Sequence, residues 1–538
     1  MLARKNILFG LLAALLMVAL LSGCGAKSQE GAKTAAKEQV IRYNVGAEPK
    51  TLDPAKATGL PEGTIMMQLF EGLTRYDAKQ EIKPGIAESW EISKDGLTYT
   101  FKLRDAKWSN GDPVTAKDFV YSWLRALDPK TASEYAYQLF YIKGAEEYNS
   151  GKGKKEDVAL KALDDKTLQV TLKAPAPQFL GLTAFQTLYP VHQKTVEGNP
   201  NWFADPAKYV SNGPFKMVSW DHNQKIVVEK NPNYWDAGNV KLSKLEIYLI
   251  DSIDTAYNMF KTGQLDFQDD VPVQELAALK GSKELKIVPD ASVYFYRFNV
   301  TRKPFNDVRV RKALAMAIDR KTLVEQVTQA GQKPAFAFVP FGFKDADGKD
   351  FRENAGDFFK EDVEQARKLL AEAGYPDGKG FPKVTIMYNT NENHQKIAQA
   401  IQQMWKKNLN IEVGLQNVEW QVKLDRETKL DYDIARAGWS PDYMDPMSFI
   451  DMFVTGGGNN QTGWSNPEYD KLVRQANSTG DQKVRMEAMH KAEKLLMDEM
   501  PVMPIYFYTN PNLIKENIKG VIIPPFGTYA DFKWAYVE

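Results

Sequence analysis

The chain has 538 residues, with 69 Lys and Arg against 69 Asp and Glu, one Cys and four His. That length exceeds what one hydrophobic core serves, so two or three lobes are expected. The balanced charge argues against nucleic acid, which needs a basic face. A single cysteine leaves no disulfide and no cysteine metal site, and no two His stand at metal-ligand spacing.

The N-terminus reads Met1-Leu2-Ala3-Arg4-Lys5-Asn6 and turns apolar from Ile7 to Leu21. At roughly 15 residues this run has the length of a signal-peptide core and falls short of the about 20 that a membrane span needs. It closes on Leu21-Ser22-Gly23-Cys24: a branched apolar residue, two small residues that let a peptidase reach the backbone, and a thiol that accepts a diacylglycerol. Residues 1–23 are thus expected to be a lipoprotein signal peptide, with Cys24 as the lipidation site and the small, polar stretch 24–39 as a flexible tether. Cleavage takes Arg4 and Lys5 and no acid, leaving a net charge of about −2. The protein would work outside the cytoplasm, anchored by lipid at the outer face of a bacterial cell membrane. Aromatics are 12% of the chain, with 11 Trp and 24 Tyr, which suits a core and equally a cleft that grips varied ligands with rigid rings.

Val40 to Val45 reads as the first strand. Leu60-Pro61-Glu62-Gly63 reads as a loop leading into a helix from about Thr64 to Leu69. Asp95-Gly96 is a hairpin turn signal, and Leu97, Tyr99, Phe101 and Leu103 alternate with polar residues to form one buried face. Trp108-Ser109-Asn110-Gly111-Asp112-Pro113 is a second turn, and a capped amphipathic helix follows from Thr115. Leu168 to Leu172 alternates as another strand, and Tyr257 to Asp266 reads as a helix stopped at Gly263. A further helix opens near Asn306, a plausible N-cap, with Val310, Leu314 and Ile318 on one stripe; another spans Asp362 to Ala373.

From Lys383 the pattern becomes strand, helix, strand. Val384, Ile386 and Tyr388 alternate; Ile397, Ile401, Met404 and Trp405 mark a helix; Ile411, Val413 and Leu415 alternate again, as in a right-handed parallel crossover. A helix from about Glu419 to Thr428 leads to the strand Asp433–Ala437, followed by Gly438-Trp439-Ser440-Pro441-Asp442. Ligands of open α/β sheets bind outside the carboxyl ends of strands. Arg436, Trp439 and Asp442 supply a cation, an aromatic wall and an anion there, the groups that hold a zwitterion. The same residues also fit a strand end with a routine surface ion pair.

Two stretches carry a resemblance. Glu88-Ser89-Trp90, then Asp95-Gly96-Leu97-Thr98-Tyr99-Thr100-Phe101-Lys102-Leu103-Arg104, then Trp108 through Trp123 form a long block. Ser211-Asn212-Gly213-Pro214-Phe215 followed by Asn231-Pro232-Asn233-Tyr234-Trp235 form the second. Together they resemble the extracytoplasmic solute-binding proteins that feed peptide and nickel ABC importers, and the oligopeptide-binding branch most of all. The resemblance covers about residue 40 to 538 and implies an α/β, type II periplasmic-binding-protein-like fold with three lobes. Lobe I would comprise 40–70, 193–292 and 509–538, lobe II the small β-rich 71–192, and lobe III 293–508. It implies that Asp442 meets the peptide ammonium, that Arg436 meets the carboxylate of shorter ligands, and that Trp439 and Trp420 flank side-chain pockets. Gly438, Ser440 and the backbone around Leu60 would complete the ligand-binding set. The implied partners are an oligopeptide and the ABC permease with its cytoplasmic ATPases, with hinge closure delivering the ligand. The binding protein itself would be a monomer with no cofactor, no metal and no covalent chemistry.

Other classes fit less well. The sequence has no His-Glu-x-x-His, no Gly-x-Ser-x-Gly and no thiol beyond Cys24, which leaves a peptidase without machinery. A dipeptide, nickel chelate or haem binder of the same family, or a receptor for peptide pheromones, remains the alternative; scarce His weighs against metal.

Overall fold

The computed structural model describes residues 38–538; the expected signal peptide, Cys24 and most of the tether lie outside the described residues. Residues Gln39–Glu538 form one unit. No helix among the described residues is long and apolar enough to cross a membrane.

The opening strand β1 (Val40–Asn44) leads to helix α1 (Leu60–Leu69). A four-stranded antiparallel sheet follows, made of β2 (Ala87–Ile92), β3 (Thr98–Leu103), β4 (Leu160–Asp164) and β5 (Thr167–Thr171) in the order β2-β3-β5-β4. The β2–β3 turn uses Gly96 at φ +72°, a conformation that glycine adopts without strain. Tyr99, Phe101 and Leu103 form the expected buried face of β3. Helix α2 (Ala116–Leu127) covers this sheet and begins with a capping box, in which Thr115 and Asp118 satisfy each other's backbone amides.

The large sheet has eleven strands. Besides β1 its main members are β6 (Phe215–Asp221), β7 (Lys225–Lys230), β8 (Lys244–Tyr248), β9 (Phe267–Asp269) and β10 (Leu285–Phe298). The later members are β11 (Val384–Asn389), β12 (Val413–Val418), β13 (Ile434–Trp439) and β14 (Val502–Ile514). Their order is β12-β11-β13-β10-β14-β9-β1-β8-β7-β6. The crossover read from sequence is present: β11 and β12 are parallel, joined by helix α3 (Glu392–Leu409), and β13 adds parallel to β11 after helix α4 (Trp420–Thr428). The long pair β10 and β14 runs through the middle. Leu285–Pro289 pair with Thr509–Leu513, then the register breaks between Pro289 and Val293, and pairing resumes from Val293 opposite Phe507.

Several boundaries differ from the sequence reading. Helix α1 starts at Leu60 rather than near Thr64, because Pro61 occupies its first turn, where the missing N–H is no loss. Strand β13 continues through Gly438 and Trp439, held by pairing with Tyr294 and Val293 of β10, instead of ending at Ala437. Asp307, not Asn306, caps the helix Val308–Met316 by accepting from the Arg309 amide; Ile318 is buried beyond that helix. The helix expected from Tyr257 begins at Ile253, capped by Ser252, with Gly263 just past its end at φ +77°. The Trp surplus is partly structural, since Trp108, Trp123, Trp202 and Trp405 are fully buried in the cores.

Candidate functional site

A cavity of about 260 Å³ lies where the carboxyl ends of β1, β9 and β13 meet the start of α1, the segment around Tyr135 and Phe185, and the aromatic stretch of β14. Topology explains the place. Strands β1 and β9 run parallel to each other, as do β11 and β13, so their ends deliver loops to common edges.

Asp442 lines this cavity and is 6% exposed. Its carboxylate accepts from the Tyr135 hydroxyl at 3.2 Å and the Gln138 amide at 2.7 Å, while its backbone N–H donates to Ser448 Oγ at 2.8 Å. Both side-chain donors are neutral, and no Lys, Arg or His among the described residues lies within salt-bridge distance. Burial therefore pushes its pKa well above the usual carboxylate range, against the smaller opposing effect of the two donors. Asp451, also buried, is raised by burial and then by the Asp442 charge nearby. An ammonium entering here would supply the missing counter-charge.

Arg436 is 9% exposed. Its guanidinium lies 4.6 Å from the Tyr294 ring centroid, donates to the Tyr508 hydroxyl at 2.5 Å and reaches Asn389 Oδ1 at 3.4 Å; Nε has no partner. No carboxylate among the described residues pairs with it. Arg436 and Asp442 are thus two buried charges left separate, not the surface ion pair that their sequence spacing also allowed. Gly438 keeps the space between strand and guanidinium open: a Cβ there would sit 3.1 Å from Tyr508 Oη and 3.4 Å from Arg436 Nη2.

Trp439 stacks on Tyr135 at 6.2 Å and donates its indole N–H to the Ser448 carbonyl at 2.7 Å. Trp420 opens α4 and donates to Glu62 Oε1 at 3.3 Å. Glu62 is fully buried in the first turn of α1, and its pKa is raised by burial. A Cβ on Gly59 would meet Glu62 Oε2 at 2.1 Å and Trp420 at 2.8 Å, so glycine is required by this close approach. Leu60 is the first residue of α1 and lines the cavity, as a helix start rather than the expected loop. Ser440 also lines it, but its hydroxyl accepts the Gly527 amide at 2.8 Å. All seven expected ligand-binding residues therefore share one cavity.

Sequence reasoning missed several of the walls. Tyr135 and Gln138 lie 307 and 304 positions from the aspartate they touch, and the donors to Asp270, which accepts from Asn391 at 3.3 Å and Asn393 at 3.0 Å, lie 121 and 123 positions away. His394 faces the cavity with Nδ1 unpartnered, and burial drives its pKa well below the usual value, so it is neutral. Its isolation among only four His was the one available signal. A buried chain of charges, Arg297 to Glu427 at 3.2 Å and Glu427 to Lys423 at 2.7 Å, borders the site; Gln461 links Arg297 to Glu134.

A cleft with a buried anion and a buried cation that form no ion pair among the described residues, and with aromatic walls, fits a binding site for a small charged solute. The chain belongs to the bacterial extracellular solute-binding proteins, family 5, whose model matches residues 81–461. It is 45% identical to the oligopeptide-binding protein OppA of Bacillus subtilis over 95% of this chain and 96% of that one. It is 43% identical to the dipeptide-binding protein DppE of the same organism over 99% of each. The crystal structure of Haemophilus influenzae OppA in complex with RPPGFSPFR superposes with a TM-score of 0.87, at 35% identity, over 93% of this chain and 99% of that chain. The family is one of substrate-binding proteins.

Proposed function

We propose that this protein is the extracytoplasmic substrate-binding component of an ABC importer for oligopeptides, with the peptide ammonium on Asp442 and the carboxylate of short peptides on Arg436. The observation that carries the reading is the buried Asp442 carboxylate, bonded only to neutral donors. Leaving a charge buried without a partner costs several kcal/mol, and a ligand ammonium removes that cost. The similarity to OppA supports a peptide over other solutes. Trp439 and Trp420 wall side-chain pockets, and the α1 start offers backbone N–H groups to the peptide.

The register break between Pro289 and Val293 supports a hinge on the β10–β14 pair, with lobe I and lobe III on either side and 71–192 as lobe II. The Leu21-Ser22-Gly23-Cys24 sequence supports cleavage before Cys24, lipidation there, and work as a tethered monomer beside the permease.

Calorimetric titration of residues 39–538, a compact unit by itself, tests the site. Di- to hexapeptides with a free amine bind, their N-acetylated forms bind at least about a hundredfold more weakly, and Asp442→Ala loses a comparable amount. Equal affinity for acetylated and free peptides would remove the ammonium anchor. Failure of every peptide would remove the ligand class.

A further inference from the structure

We propose that a second, outward groove receives the carboxyl-terminal part of peptides too long for the inner cavity; this rests on the peptide reading of that cavity. The groove, of about 1100 Å³, lies beside the short helix Leu276–Leu279 and the outer end of β10. Leu276, Ala330 and Gln332 line both it and the inner cavity, so the two spaces share one wall.

That wall is the short loop Gln329–Gln332, with Gln329 and Gly331 at φ +55° and +81°. Its contacts are few: Gln332 Oε1 accepts from Thr328 Oγ1 at 2.9 Å and the Ala330 amide at 3.0 Å, the Ala330 carbonyl accepts from Thr509 at 2.6 Å, the Gln329 amide donates to the Val324 carbonyl at 3.0 Å, and Ala330 is buried. The loop follows a π-helical turn, Leu323–Thr328, an irregularity that often marks functional positions.

The groove has the chemistry of a chain end. Its floor is apolar, with Ile287 exposed at 45%. Its two carboxylates are already engaged, Glu325 with Lys321 at 3.9 Å and Glu361 with Arg320 at 4.0 Å. Lys280 and Lys333 have no carboxylate among the described residues; Lys333 rests 4.3 Å from the Phe341 ring. Free cations over an apolar floor complement a peptide carboxylate and its last side chains. The reach fits as well. Val293 pairs with Trp439 in the inner cavity, and Ile287, earlier on the same strand, lines the groove. Six residues of strand span at most roughly 20 Å, the length of about six peptide residues. Peptides beyond about six residues would then cross the loop and end against Lys280 and Lys333.

The test compares Ala-Gly-Ser with the nonapeptide (Ala-Gly-Ser)3 and its C-terminal amide, on the wild type and on Lys280→Glu/Lys333→Glu. Both free peptides should bind the wild type. The double variant should lose about tenfold for the nonapeptide, as two exposed charge contacts allow, and keep the tripeptide within about twofold. The amide should bind the wild type more weakly and ignore the substitutions. A nonapeptide with a photo-crosslinking residue at position 8 should label 276–287 or 321–336. Unchanged nonapeptide affinity in the double variant, labelling confined to the inner cavity, or a tripeptide that binds where the nonapeptide does not would each overturn the groove. If neither peptide binds, the inner-cavity reading fails and the groove falls with it.

Discussion

Asp442 shows how a binding residue trades stability for affinity. Its folded pKa is raised by burial, so the unfolded chain releases this proton at lower pH than the folded chain does. Above the ordinary carboxylate range the unfolded state therefore binds fewer protons, and the empty protein loses stability as pH rises through that interval. Asp442→Asn, which keeps the shape and removes the charge, should make the empty protein more stable to urea at neutral pH than the wild type and leave it unchanged under acid. Peptide affinity should move the other way. In the wild type it falls as acid protonates the carboxylate, whereas the Asn variant binds weakly at every pH with no such fall. Paired urea melts and titrations across pH check both signs, and an Asn variant less stable at neutral pH would refute the uncompensated charge.

At the scale of elements, buried pairs hold irregular segments to helices. Glu493, on the helix Gln482–Glu499, accepts the backbone amides of Phe338 at 2.9 Å and Val339 at 2.8 Å and pairs with Arg352 at 2.5 Å; both side chains are essentially buried. This one carboxylate fastens residues 338–352 to the body. Glu493→Ala should cost about 3–5 kcal/mol by urea unfolding, because it strands a buried guanidinium and two amides. The exposed pair Lys117–Asp165 offers the contrast: Lys117→Ala should leave the urea midpoint nearly unchanged. Elements were also where sequence was most legible. Thr115, Asp362 and Glu419 each cap a helix close to the position that the pattern implied. The misplaced starts, at Leu60 and Ile253, fell where a proline or a polar first turn hides the helical period.

At the scale of the whole molecule, buried contacts across the cavity are joined by weaker ones at its rim. Lys50 meets Asp425 at 2.7 Å with both side chains substantially exposed, Gln421 reaches the Pro49 carbonyl at 3.4 Å, and Gln461 meets Glu134 at 3.1 Å. An exposed pair such as Lys50–Asp425 is worth about 0–1 kcal/mol, so a ligand that bridges the cavity is expected to add more to closure than this pair does. Saturating peptide at a hundred times its Kd adds about 2.7 kcal/mol, more than such a pair. Amide exchange should therefore slow at residues 46–63 and 420–428 when peptide is added, and Lys50→Ala should change that protection less than Asp442→Ala does. Protection that is the same with and without peptide would mean that closure does not depend on the ligand.

By itself the sequence determined the α/β class, the strand–helix–strand unit after Lys383, and the placing of Arg436, Trp439 and Asp442 at a strand's carboxyl end. These are local matters of periodicity, capping and topology, written within a few tens of residues. What surrounds those groups follows from long-range packing. That Asp442 meets Tyr135 and Gln138, that Arg436 lies against Tyr294 and Tyr508, and that neither forms an ion pair among the described residues depends on strands brought together from distant parts of the chain. The physical reason is burial. A charged residue in a sequence is equally a solvated surface group or a binding group, and the desolvation that separates the two exists only once the chain has closed around it.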